Sequence, residues 1–243
     1  RVLHLAAQAG VRYSIDEPDD YTDSNLLGFG HVLQGCRAAQ VEHLVFASSS
    51  SVYGGNTKVP FSERDAVDHP ISYYAATKKA NEVMAHTYAH LYGMPCTGLR
   101  FFTVYGPWGR PDMAPWMFAE AILSGRPITL YDGGRLKRDF TFVEDIAAGV
   151  VGCRDHPAPA EAPRLLNIGN HRSVEVRRFV SVIEAALGRQ AIVVDTPRPA
   201  TDVQETFADI DAIRALCGYE PRTPIERGVP EFANWYLSWR KGG

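Results

Sequence analysis

Apolar residues in this chain gather in short runs separated by longer amphipathic stretches. "RVLHLAA" (Arg1 to Ala7) reads as a buried strand, and "HLVFAS" (His43 to Ser48) and "CTGLRFF" (Cys96 to Phe102) repeat that short run. Between the first two, Leu26, Leu27, Val32, Leu33 and Cys36 supply the apolar positions of a helix from about Asp19 to Ala39. Between the second and third, a long helix holding Tyr74 and Lys78 runs to about Tyr92, closed by Gly93 with Pro95 behind it. Short runs alternating with helices of this length predict a parallel, doubly wound sheet.

Beyond "VYGPWGRPDM" (Val104 to Met113) the pattern loosens. "ITLYDGG" (Ile128 to Gly134) and "RDFTFVEDIAAGVV" (Arg138 to Val151) predict a strand, a turn and a helix. "RDHPAPAEAPR" (Arg154 to Arg164) is a proline-rich surface loop. "LLNIG" then reads as a strand, Val174 to Leu187 as a helix, and "AIVVDT" (Ala191 to Thr196) with the last helices finishes the chain. There is no internal repeat and no low-complexity tract.

Composition narrows the class. A chain of 243 residues, 45% hydrophobic and 22% charged, can bury a substantial core and has the make-up of a soluble globular protein. A net charge of -3 gives no electrostatic reason to expect nucleic acid or an anionic membrane. No apolar run approaches the roughly 18 residues of a membrane span, and no signal-peptide pattern opens the sequence. Cys36, Cys96, Cys153 and Cys217 are scattered, with no C-x-x-C pair, so neither a zinc site nor a disulfide framework is expected. A reducing cytoplasm is the expected compartment.

In open parallel sheets, ligands bind outside the carboxyl ends of the strands. The serine run Ser48 to Ser51 and the segment "FFTVYGP" each follow a strand, and the tyrosine helix lies between them in sequence. Tyr74 and Lys78 are four apart and share a helix face. A cation there favours phenolate over phenol and moves the tyrosine towards the range of a general base. Taken alone, that spacing also fits a packing tyrosine and a solvated lysine. His86 and His90 lack the glutamate and third ligand of the helical zinc motif, so no metal is expected. "GFGHVLQG" (Gly28 to Gly35) places its third glycine too late for a dinucleotide fingerprint and lies inside a helical pattern.

Three motifs in order change the weighing: "SSSSVYG" (Ser48 to Gly54), "YYAATKK" (Tyr73 to Lys79) and "LRFFTVYGPWGRPDM" (Leu99 to Met113). Together they resemble the extended short-chain dehydrogenase/reductase family, specifically its nucleotide-sugar epimerases and among them those acting on UDP-hexuronic acids. The resemblance runs from Arg1 to the C-terminal helix. It implies an α/β fold with a doubly wound, parallel, Rossmann-like sheet and a smaller C-terminal substrate-binding α/β region. Residues 1–106 would form the NAD-binding part with the catalytic pair. Residues 107–243 would mainly bind the nucleotide-sugar, with about 140–170 returning to the first part.

The activity implied is NAD-dependent 4-epimerisation of UDP-glucuronate to UDP-galacturonate through a 4-keto sugar. The alternatives are another UDP-sugar epimerase, a UDP-glucuronate decarboxylase, or a UDP-sugar-binding fragment without turnover. The resemblance makes Tyr74 the base at the 4-hydroxyl, Lys78 the cation that lowers its pKa and holds the nicotinamide ribose, and Ser49 the hydroxyl bridging substrate and tyrosine. Leu5, Asn25 and Phe102 match positions lining the NAD site beside Ser49, Tyr74 and Lys78. Related dehydratases and decarboxylases carry acids where this chain has Ser50 and Ser51. Hydroxyls there, with Ser49 and Thr103, would hold the sugar carboxylate and protect it from loss. Tyr131 would stack on uracil, Arg138 would bind diphosphate, and Arg110 would face the sugar. Arg12, Arg198 and Asp202 match less closely. The family also implies a homodimer through helices 19–39 and 74–92.

A Rossmann half opens with strand, glycine-rich turn and helix, whose N-terminus binds pyrophosphate. The sequence contains no such element, and relative to the family it starts at the strand usually counted fourth. The expectation is an N-terminally truncated chain, or one completed by a partner.

Overall fold

The computed structural model describes residues 1–199 and 203–242. In chain order the first elements are β1 (Val2–His4), α1 (Tyr13–Asp16), α2 (Pro18–Tyr21), a π-helical segment (Thr22–Leu27) and α3 (Gly28–Ala38). Next come β2 (Leu44–Ser49), a 3-10 turn (Ser50–Tyr53), α4 (Tyr73–Tyr92), β3 (Cys96–Phe101) and β4 (Thr103–Tyr105). Then follow α5 (Ala114–Ser124), β5 (Pro127–Tyr131), β6 (Lys137–Arg138), β7 (Phe140–Phe142) and α6 (Val143–Asp155). The chain finishes with β8 (Arg164–Ile168), β9 (Val174–Glu175), α7 (Val176–Leu187), β10 (Ile192–Thr196), α8 (Asp211–Cys217) and α9 (Ile225–Gly242).

These elements form two compact units. The first comprises Arg1–Phe102, Ala147–Ile168 and Ala208–Glu220. Its sheet has the order β1-β2-β3-β8, and each neighbouring pair runs parallel. All four strands therefore end on one edge, where His4, Ser49, Phe101 and Ile168 stand last. The core packs Phe29, Leu33 and Cys36 of α3 against Leu44, Phe46, Ala85 and Cys96. The second unit comprises Thr103–Ile146, Gly169–Phe207 and Pro221–Gly243. It holds the parallel pairs β4-β7 and β5-β10 and the antiparallel pair β6-β9. Its core is aromatic, with Tyr105, Phe140, Phe142, Phe179, Phe232 and Tyr236 buried together.

Helix α4 shows why its sequence folds as it does. Ser72 caps the start, its Oγ accepting from Ala75 N at 3.1 Å. Gly93 ends it in the left-handed region at φ 61°, where a residue with a Cβ is strained. Small residues, Ala75, Ala85 and Ala89, are fully buried and let the helix lie close to the sheet.

Three expectations need correction. "RVLHLAA" is a strand only over Val2–His4, and it is not buried, since Leu3 is 40% and Leu5 51% exposed. An apolar run marks extended structure, but burial depends on what covers each face, and β1 ends the sheet order. The helix expected over Asp19 to Ala39 starts at Pro18 and is interrupted by the π-helical segment. The helix expected from Val174 begins at Val176, because Val174 and Glu175 are taken by pairing with β6.

The π-helical segment carries Asn25 into the interior. Asn25 Oδ1 accepts from Gln8 N, and its Nδ2 donates to Gln8 O, both at 2.9 Å. Nδ2 also donates to Thr77 Oγ1 at 3.1 Å, while Asn81 Nδ2 donates to the Asn25 carbonyl at 2.6 Å. One amide thus ties the segment after β1 to helix α4. Asn25→Ala is expected to destabilise the protein by about 2 kcal/mol, because it strands buried partners as well as deleting bonds. Urea unfolding of the two proteins measures it. A change below about 0.5 kcal/mol, the range of ordinary surface substitutions, would show that these bonds contribute little.

Candidate active site

Strand β2 ends at Ser49, whose backbone is extended and whose Oγ accepts from Ser51 N at 3.2 Å. That bond caps the 3-10 turn and leaves the hydroxyl proton available to another acceptor. Ser50 and Ser51 follow in the turn, half-buried. Ser48 points the other way, as alternation along a strand requires, and donates to Glu82 Oε1 at 2.6 Å.

Tyr74 is the second residue of α4 and half-buried, with its ring edge-on to Tyr21 at 6.0 Å between centroids. Lys78 lies one turn on, only 3% exposed, with Nζ 5.9 Å from the centre of the Tyr74 ring. Nζ donates to Ala47 O of β2 at 3.0 Å. Burial lowers the lysine pKa to about 8, since the charged form is disfavoured away from water. The ammonium is therefore a tunable charge, present below that pH and lost above it. His4, at the end of β1, has its pKa lowered by burial and by the Lys78 charge, which places it in the same electrostatic field.

Other expected residues divide between the units. In the first, Asn25 is buried, its amide pinning Gln8 after β1 and donating to Thr77 of α4. Leu5 stands exposed just beyond β1. Phe102 is buried, its ring 6.4 Å from Tyr53 and 6.1 Å from Phe61, and its N–H donates to Ile168 O. Arg12 is exposed at the start of α1.

In the second unit, Thr103 opens β4 and its N–H donates to Asp139 O at 3.1 Å. Arg110 is bound by its own loop through a bidentate contact with Asp112 at 2.9 and 2.8 Å. Tyr131 closes β5, half-buried. Arg138, in β6, donates from Nη1 to Lys137 O at 2.8 Å, and the neighbouring Asp139 accepts from Thr141 Oγ1 and Asn170 N. The Arg198 N–H donates to Asp132 Oδ1 at 3.2 Å. Asp202 lies outside the described residues. His86 and His90 stack on the exposed side of α4, 6.4 Å between ring centres. Among the described residues no group of three or more His, Cys, Asp or Glu side chains is placed to hold a metal ion.

The sequence reading missed a buried network beneath this pair. Arg100 of β3 binds Glu82 of α4 through Nε and Nη2, each at 2.9 Å, and donates from Nη1 to Tyr53 OH at 3.0 Å. Tyr53 OH donates in turn to Asn167 Oδ1 of β8 at 2.6 Å. The available signal was the arginine inside an apolar strand run, "CTGLRFF", since a buried guanidinium requires a partner.

Comparison with known proteins gives the family. The model of the NAD dependent epimerase/dehydratase family matches residues 1–169. A probable UDP-glucuronate 4-epimerase of Rhizobium meliloti (strain 1021) is 47% identical over 252 residues, covering 97% of this chain and 74% of the relative. MoeE5, solved in complex with UDP-glucuronic acid and NAD, superposes with a TM-score of 0.90 at 34% identity, covering 98% of this chain and 79% of that one. The UDP-glucuronic acid 4-epimerase from Bacillus cereus, solved with UDP-glucuronic acid and NAD, gives 0.89 at 28% identity, with coverage of 96% and 74%. No helix among the described residues is long and apolar enough to cross a membrane.

Proposed function

The chain belongs to the NAD dependent epimerase/dehydratase family, and from that premise we propose that it is an NAD-dependent 4-epimerase interconverting UDP-glucuronate and UDP-galacturonate, with Tyr74 as its acid/base. The observation that carries the assignment is the Lys78 ammonium, buried on the Tyr74 face of α4 at the strand edge where Ser49 stands.

The donor set fits a dinucleotide. A lysine ammonium has three N–H donors, and among the described residues one is taken, by Ala47 O. The remaining two suit the hydroxyls of the nicotinamide ribose. When bound, NAD+ would supply a reversible hydride acceptor for C4 of the sugar. Tyr74, as phenolate, takes the proton from the 4-hydroxyl and gives it back when C4 is reduced. Lys78 stabilises the phenolate as a positive charge 5.9 Å from the centre of that ring. The Ser49 hydroxyl donates to the oxygen at C4, where negative charge develops, without reorganisation.

Hydroxyls rather than acids follow Ser49, which favours epimerisation over elimination or decarboxylation. The 4-keto intermediate of a hexuronic acid is a β-keto acid, and Ser50 and Ser51 have donors to hold its carboxylate in place. In the second unit, Thr103 supplies another hydroxyl, Tyr131 an aromatic face for uracil, and Arg138 a planar fork for diphosphate oxygens. Arg110 would face the sugar with the donors of Nη1, since Asp112 takes Nε and Nη2. Leu5 and Phe102 complete the apolar lining of the cofactor side.

The homodimer through helices 19–39 and 74–92 belongs to the same proposal, supported by Leu27, Val83 and Leu91, all more than half exposed on those helices. The cytoplasmic placement belongs to it as well, supported by the four thiols, all free. Incubation with UDP-glucuronate and NAD+ is expected to give UDP-galacturonate, resolved by chromatography of the nucleotide-sugars. UDP-pentose with carbon dioxide as the main product would replace epimerisation by decarboxylation.

A further inference from the structure

Glu82 stands four residues beyond Lys78 on the same buried face of α4, a spacing at which oppositely charged side chains meet. In the protein interior that attraction would be strong. Yet the ammonium donates to a backbone carbonyl on β2 and not to the carboxylate. The reason lies in the acceptor. Glu82 Oε1 receives Ser48 Oγ at 2.6 Å and Arg100 Nε at 2.9 Å, and Oε2 receives Arg100 Nη2 at 2.9 Å. Arg100 and Glu82 side chains are each 2% exposed, so water does not compete for these bonds.

We propose that Arg100 is a positioning residue for Lys78: by holding both oxygens of Glu82 it keeps that carboxylate from capturing the ammonium, which stays beside the Tyr74 ring. The inference rests on the reading of Tyr74 as base and Lys78 as its cation. Its geometry is a competition for one carboxylate between a guanidinium from β3 and an ammonium from the same helix. The guanidinium wins because its fork matches two oxygens at once. Tyr53 fixes the far end of that fork, accepting from Nη1 and lying 4.9 Å below the guanidinium carbon.

Loss of Arg100 frees the carboxylate. Lys78 then swings to Glu82, the pair becomes neutral, and the phenol at Tyr74 loses the charge that favours its ionisation. Titratable groups that face this cluster include His4 from β1, Tyr21 from α2, Tyr53 from the 3-10 turn and Glu63 from the loop after it. None of them is substituted in the variants below; burial raises the pKa of Tyr53 and of Glu63 and Arg100 lowers it, and pairing each variant with its Tyr74→Phe counterpart removes their own titration from the difference.

The test is an ultraviolet titration of the Tyr74 phenolate, taken as the difference between each protein and its Tyr74→Phe counterpart, alongside kcat and KM. Arg100→Met is expected to raise the Tyr74 midpoint by about one pH unit and to lower kcat about tenfold with KM unchanged. Adding Glu82→Gln to Arg100→Met is expected to return both values to those of the parent. A purely structural role predicts the reverse, with the double variant no better than the single one, and that result would overturn the proposal. Where Arg100→Met does not fold, Glu82→Gln alone decides. Its midpoint should lie at or below that of the parent, and a rise overturns the proposal. The titration needs no turnover, so a parent without 4-epimerase activity would sink the reaction assignment separately.

Discussion

Tyr74→Phe is expected to lower kcat about 10³-fold, the middle of the range for losing a positioned general acid/base, while the binding of UDP-glucuronate stays essentially unchanged. The substitution removes one oxygen and keeps the ring that packs edge-on to Tyr21. Turnover and calorimetric binding, measured on the same preparation, separate the two effects. If the variant turns over at the parental rate, Tyr74 is an ordinary packing residue and the mechanism proposed above is wrong.

Lys78→Met should abolish turnover almost as fully, and it should also change how stability depends on pH. The folded pKa of Lys78 is lowered from 10.5 to about 8 by burial. Between those values the unfolded chain keeps the proton and the folded chain does not. The unfolded state then binds more protons, so unfolding free energy rises with pH across that window. The rise is absent below about 8, where both forms are protonated, and it is complete above 10.5. At 1.36 kcal/mol per unit it amounts to about 3 kcal/mol. The Met variant has no such group, so the difference between parent and variant should climb with pH in favour of the parent. Urea unfolding at several pH values reads it. A flat difference would mean that Lys78 is not desolvated in the folded protein, and with it would go the account of the ammonium as a charge lost near pH 8.

The two effects concern one atom seen from two sides. Burial costs the fold a charged group out of water, and it places that charge where solvent does not screen it from Tyr74. An exposed lysine would stabilise the phenolate less. The carbonyl of Ala47 holds the ammonium without neutralising it, which a carboxylate in the same position would do.

Much of this was legible in the sequence. The serine run, the Tyr74–Lys78 spacing and the short apolar runs between helices are local patterns, and each follows from a period or a fixed separation along the chain. Ser72 and Gly93 mark the ends of α4 by local chemistry as well, one by its hydroxyl and one by the absence of a Cβ. Local pattern failed at β1, where an apolar run was read as buried and none of its residues is. At Asn25, expected to line the cofactor site, it gave no sign of the clamp on Gln8.

Only the tertiary structure decided what surrounds the pair. The partners of Glu82 come from β2 and β3, and Tyr53 reaches Asn167 across 114 positions of sequence. Such bonds depend on strand order and register, here Ser48 opposite Arg100 and Arg100 opposite Asn167 on neighbouring parallel strands. No period along the chain encodes which strand will lie beside which. The sequence by itself determined the chemistry available, a phenol, an ammonium and a row of hydroxyls at a strand's end. Packing decided their charge states, because desolvation and competition for a single carboxylate act between residues that meet only when the sheet has formed.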